Sequence, residues 1–218
     1  MSAKARQPIL PLHLFANSAR NAAYGARMLF IGGMVGFWFF MTQYLQGVLF
    51  YTPLQAGLAF LPVTIPNFFA ALWVPRLTRV AGNARLLASG FVLCIAGLLW
   101  MAQARAPAPY LAAIALPMVL LGVGQGLVLA PLTVAAVQGV ASEDAGAASG
   151  IVNAAHQLGG SLGLSVLVVV FARAGSAGLD AQAQLADHIA HTFMASAVML
   201  AAGLAWVLVF IVRPYSRQ

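Results

Sequence analysis

Residues 110–134 read YLAAIALPMVLLGVGQGLVLAPLTV, a run of twenty-five positions without one charged side chain. A helix rises about 1.5 Å per residue, so about 20 apolar residues cross a hydrocarbon layer of roughly 30 Å. This stretch is long enough. Its apolar residues are continuous and do not alternate with polar ones over ten-residue segments, which argues for a helix rather than a strand of a membrane barrel.

The same reading applied outward finds five more such stretches, at 28–50, 57–74, 86–104, 149–172 and 192–212. The composition agrees: of 218 residues 62% are apolar and only 7% charged, with a mean hydropathy of +0.91. So few charges cannot cover a domain that faces water. The expected fold is an all-α membrane protein of six transmembrane helices. Residues 1–27 are expected to form a cytoplasmic or interfacial N-terminal segment, 28–213 one six-helix bundle and 214–218 a short tail. Lys4 and Arg6 are followed by Pro8 and Pro11, with no clean apolar stretch ending in a small-residue cleavage site, so no cleavable signal peptide is expected.

The net charge of +7 raises nucleic acid as a partner, but that reading needs cations gathered on one exposed face. Here they fall between apolar stretches. With the N-terminus inside, alternate connections hold Lys4, Arg6, Arg20, Arg27, Arg76, Arg79, Arg85, Arg213 and Arg217, leaving only Arg105 and Arg173 outside. Cytoplasmic loops carry the Lys and Arg excess. The bias therefore supports six spans, with both termini cytoplasmic in a cell (inner) membrane. Cys94 is the sole cysteine and lies in an apolar run; it is expected to pack, and no metal or cofactor set is evident.

The four acids, Glu143, Asp144, Asp180 and Asp187, are each expected in a connecting loop. An ionisable group within a span is a functional candidate, and on this division no span holds a carboxylate. The polar residues inside spans are unevenly shared: Thr42, Gln43 and Gln46 in the first, Gln125 and Thr133 in the fourth, and Asn153, His156, Gln157, Ser161 and Ser165 in the fifth. Those three spans are expected to face the interior. Gln43 and Gln46, and Asn153, His156 and Gln157, share faces at spacings of three and four. They are candidates for a substrate cavity together with Gln125, and they would equally serve to hydrogen-bond one another across a dry bundle. His156 is a conceivable proton relay, although a histidine without a carboxylate beside it is more often structural.

Small residues recur at helical spacing in Gly32 and Gly36, Gly122 and Gly126, Gly146 and Gly150, and Gly159 and Gly163, where helices in lipid approach closely. Pro62, Pro66, Pro117 and Pro131 are expected to kink or open their helices. The glycine-rich run 122–126 lies mid-span and lacks the spacing of a nucleotide loop. Ala147, Ala148, Ser149 and Gly150 resemble the rhomboid protease nucleophile segment. Its first glycine is absent and the serine stands in the wrong span, so an enzyme is not expected.

Three stretches together resemble the major facilitator superfamily, in particular its fourteen-span drug:proton antiporters. They are Tyr44, Leu45, Gln46, Gly47, Val48 and Leu49 with Tyr51, Pro53, Ala56, Gly57, Leu58, Leu61 and Pro62; the run GVGQGLVLAP at 122–131; and Ala145, Gly146, Ala148, Ser149, Gly150 and Asn153, continued by Gln157, Leu158, Gly159, Gly160 and Gly163. His156 stands where that family usually carries arginine. Arg76, Arg79, Gly82 and Arg85 are similar to the family's cytoplasmic basic loop. The resemblance implies a C-terminal bundle of two inverted three-helix repeats, with the N-terminal bundle missing from this chain. It also implies proton-coupled multidrug efflux by alternating access, of which this half is inactive alone. Small hydrophobic or cationic drug-like substrates, protons and lipid are the implied partners. A structural or regulatory six-helix membrane protein is the alternative.

Overall fold

The computed structural model describes residues 11–104, 108–175 and 178–212. It is helical throughout, with no strand among the described residues. Six helices are long and apolar enough to span a bilayer.

Helix α1 (Ser18–Gln43) widens into a π-helical turn, Tyr44–Val48. A short α2 (Pro53–Leu58) leads to α3 (Leu61–Ala81), and Gly82 at φ +79° turns the chain into α4 (Asn83–Met101). A second wide turn, Leu111–Ala115, opens α5 (Leu116–Val137). Then follow α6 (Ala145–Arg173) and α7 (Ala181–Val207), which runs on through a last wide turn to Val212.

Two helix starts lie well outside the apolar stretches, because hydropathy marks the greasy length and capping marks the end. Asn17 accepts from the Arg20 backbone N–H at 3.1 Å and starts α1 at Ser18, ten residues before the expected 28. Asp180 accepts from Ala183 N–H at 2.8 Å and starts α7 at Ala181. The expectation that every acid sits in a loop is thereby corrected, since Asp187 lies within α7. Likewise Arg27, assigned from sequence to the cytoplasmic segment, lies within α1. Of the four prolines, Pro62 falls in the first turn of α3, where the missing N–H is not needed, while Pro66 and Pro131 are truly internal.

The helices pack in a swapped pattern. Helices α1 and α5 stand together at the centre; α6 lies along α1, α3 lies along α5, and α4 and α7 close the back. Thus the first helix of each triplet (α1, α3, α4 and α5, α6, α7) packs against the second and third helices of the other triplet. Phe30 of α1 meets Phe91 of α4 edge to face at 5.2 Å, and Phe37 of α1 meets Phe193 of α7 at 6.2 Å, filling the seam behind the centre. Helices α3 and α6 bury least of their length. They expose Ile65, Phe68 and Phe69, and Leu158, Leu162 and Val166, apolar faces that suit lipid or another helix.

Candidate functional site

Close backbone approach sets the geometry around the two central helices. A Cβ placed on Gly159 would stand 2.5 Å from both Cα and O of Met28, and one on Gly163 would collide with the backbone of Gly32. Gly32 in turn faces the Gly159 carbonyl, so α6 lies backbone to backbone on α1. Across the bundle Gly122 abuts the Val63 carbonyl and Gly126 faces the Asn67 carbonyl, which brings α5 onto α3 in the same manner. Gly36 is filled by the Leu167 side chain. A Cβ on Gly146 or Gly150 would meet nothing within 4 Å; the expected contact at that pair is corrected, because both lie on the outward side of α6 while Ala148 between them is buried.

With α6 pressed on α1 through Gly159 and Gly163, Asn153 and Gln157 lie outside that contact, both exposed. A shallow groove forms there between Val35 of α1 and Gln157, Gly160 and Ser161 of α6. The Ser161 and Ser165 hydroxyls donate back to the Gln157 and Ser161 carbonyls of their own helix, so Asn153 and Gln157 keep the free polar ends of this face.

The candidate residues do not form one cluster. Gln43 is half-buried and Gln46 exposed in the last turns of α1, about 24 Å along the helix from Arg27 at about 1.5 Å per residue. Gln125 of α5 is half-buried between them, with its Oε1 buried and without a partner. His156, half-buried, belongs to a third group near the basic end.

That group is the feature missed in sequence. Arg27 Nη1 donates to Thr133 Oγ1 of α5 at 2.9 Å, and its Nη2 lies 3.5 Å from His156 Nδ1 of α6. The Thr133 hydroxyl itself donates to the Leu129 carbonyl at 2.9 Å, which leaves its oxygen to accept. Three helices therefore converge on one guanidinium. Arg20, seven residues earlier on the same side of α1, is buried and donates to the carbonyls of Leu14 at 3.1 Å and Gln138 at 3.2 Å. The seven-residue spacing and the capping sequence Asn17–Ser18 were the available signals. Arg76, Arg79 and Arg85 are exposed around the α3–α4 turn, with Arg76 Cζ 5.2 Å from the centre of the Trp73 ring. Asn83 Nδ2 donates to the Pro131 carbonyl at 3.1 Å, so this turn and Arg20 share one end of the bundle. No group of three His, Cys, Asp or Glu able to hold a metal occurs among the described residues.

Such an arrangement offers polar groups along an open side of packed helices. The comparisons point the same way. The family model described as Major Facilitator Superfamily matches residues 2–164. The chain is 36% identical over 199 residues to a cephamycin export protein of Amycolatopsis lactamdurans, covering 91% of this chain and 40% of that protein. It is 32% identical to a puromycin resistance protein of Streptomyces alboniger, over 94% of this chain and 44% of the relative. A multidrug efflux pump of Mycolicibacterium smegmatis is 32% identical over 82% of this chain and 35% of its own length. The chain thus spans about two fifths of the length of the curated relatives it matches.

Proposed function

The chain belongs to the major facilitator superfamily, and from that premise we propose that it is the C-terminal bundle of a proton-coupled multidrug exporter working by alternating access. In such carriers substrate binds near the midplane between two bundles that rock about it. The remaining length of the relatives, about three fifths, is proposed to supply the partner bundle. The observation that carries the reading is the open α1–α6 side, where Asn153 and Gln157 stand exposed on a helix otherwise showing Leu158, Leu162 and Val166. Polar ends on an apolar wall suit drug-like molecules held by area and oriented by a few directed bonds. Gln43, Gln46 and Gln125 extend that wall along α1 and α5, and His156 lies at its basic end.

The glycine contacts are assigned to rigid packing within the bundle, so that it moves as one body. Described cations Arg20, Arg27, Arg76, Arg79 and Arg85 gather toward one end, which supports an inner-membrane orientation with both termini cytoplasmic. Glu143 and Asp144 sit in the turn before α6, Asp180 caps α7, and Asp187, early in α7, lies beside His191 and away from the α1–α5–α6 side; the proton-carrying carboxylate is assigned to the partner bundle.

One bundle supplies one wall of a cleft, and these 218 residues alone are expected to export nothing. Ethidium and puromycin accumulation is measured in an efflux-deficient host carrying an empty vector, this chain alone, or the full-length transporter that contains it. Reduced accumulation only with the full-length protein is the expected result. Efflux by the chain alone overturns the two-bundle reading, and failure of the full-length protein on both drugs and on a wider panel overturns the exporter reading.

A further inference from the structure

We infer that the Arg27 guanidinium, held by Thr133 and His156 where α1, α5 and α6 meet, is the docking point for a carboxylate on the molecule this face receives. The inference rests on the cavity reading above and narrows it, because a fixed cation beside the path disfavours the cationic drugs that the family resemblance implies.

The charge has no anionic counterpart among the described residues. Asp144 is engaged by His13 at 2.7 Å, Asp180 caps α7, and Asp187 Oδ2 lies 3.6 Å from His191 Nδ1. Among the described residues no carboxylate pairs with Arg27. Both groups that do hold it, a hydroxyl oxygen and an imidazole nitrogen, are hydrogen-bond acceptors that need carry no charge. Its Nε is buried with no partner. A guanidinium has five N–H donors in a planar fork, and this half-buried one, with its Nε unpaired, gains a charge-assisted contact when an anion reaches it. Arginine rather than lysine matters, since the fork matches the two oxygens of a carboxylate. Arg27 stands nine residues into α1, about 14 Å from its start, and between three helices. Its partners on α5 and α6 hold it toward the bundle, which favours a solute there over a phosphate of the surrounding lipid.

The test uses the full-length transporter in phosphatidylcholine nanodiscs, with 2-naphthoate and 2-naphthamide as probes that share a ring and differ in charge. Binding is read by tryptophan fluorescence and calorimetry. The acid is expected to bind about tenfold tighter than the amide, the ratio that one charge-assisted contact gives. Arg27→Gln brings the ratio to about one, and Arg27→Lys keeps part of it. Equal binding of acid and amide by the unmodified protein overturns the inference, whether or not the variants fold. So does a ratio that collapses when phosphatidylglycerol is added, because the anion taken is then a lipid phosphate. Export of a neutral drug is measured with the same protein in sealed proteoliposomes. Export without acid preference sinks this inference alone, whereas loss of export sinks the cavity reading with it.

Discussion

Gly163→Leu is expected to lower the thermal midpoint of the detergent-solubilised protein by about 6–12 °C, while Gly146→Ala leaves it unchanged or slightly raised. The two glycines lie in one helix and differ in what a side chain would meet. A Cβ at 163 falls on the Cα and carbonyl carbon of Gly32, and Gly159 lies as tightly on Met28. Backbone cannot swing aside as a side-chain tip can, so α6 must lift from α1. Overpacking of this kind costs about 1–3 kcal/mol, and leucine at a backbone contact belongs at the upper end. In lipid there is little apolar driving force to restore the contact. For a chain of this size about 1 kcal/mol shifts the midpoint by about 2–4 °C. Gly146 meets nothing within 4 Å, and alanine is the better helix former by up to about 1 kcal/mol. A size-exclusion thermostability series decides the matter; equal midpoints for Gly163→Leu and the unmodified protein contradict the packing described.

Arg20→Met is expected to loosen the basic end of the bundle, with a loss of about 2 kcal/mol. Methionine keeps the aliphatic stem but removes the N–H groups that reach Leu14 O and Gln138 O. These bonds tie the turn Leu12–Phe15 and the connection after α5 to the first turn of α1. Hydrogen bonds from a charged donor are worth about 1.5–3 kcal/mol each, reduced here because water can reach the end of the helices. Limited proteolysis is the sharper readout. Cleavage within 138–144 should accelerate in the variant while cleavage in the α6–α7 connection does not. An unchanged pattern contradicts the strap assigned to Arg20.

The six spans were legible because lipid imposes a length and an apolarity that few other constraints imitate; the run 110–134 carries both plainly. The helix ends were not, since Ser18 to Arg27 and Ala181 to His191 are polar enough to look like loop. Caps at Asn17 and Asp180 draw those residues into helix, and with them Arg27 and Asp187. Glycine spacing proved a symmetric clue to an asymmetric fact. Four pairs share the same interval, yet Gly146 and Gly150 face open space and Gly159 and Gly163 face backbone. The difference is set by which side of α6 each pair occupies: the first pair shares the exposed side of Asn153 and Gln157, the second the side on which Ala148 and Ala155 are buried. Arg27 was hidden for a related reason. A cation at the border of an apolar run reads as a topology marker, and only the packing of α5 and α6 around it reveals shared hydrogen bonds with Thr133 and His156.

The central claim is that the α1–α5–α6 side of this bundle is the wet wall of a path through a two-bundle transporter. Single cysteines at Gln46, Asn153 and Gln157, with Cys94 replaced by alanine and Val92 and Val198 as exposed apolar controls on α4 and α7, are treated with a membrane-impermeant thiol reagent in the full-length protein, with and without drug. The expected result is labelling at Asn153 and Gln157 in at least one condition, slowed by drug, with the controls unreactive. Cysteines at all three test positions that resist the reagent in every condition would contradict it.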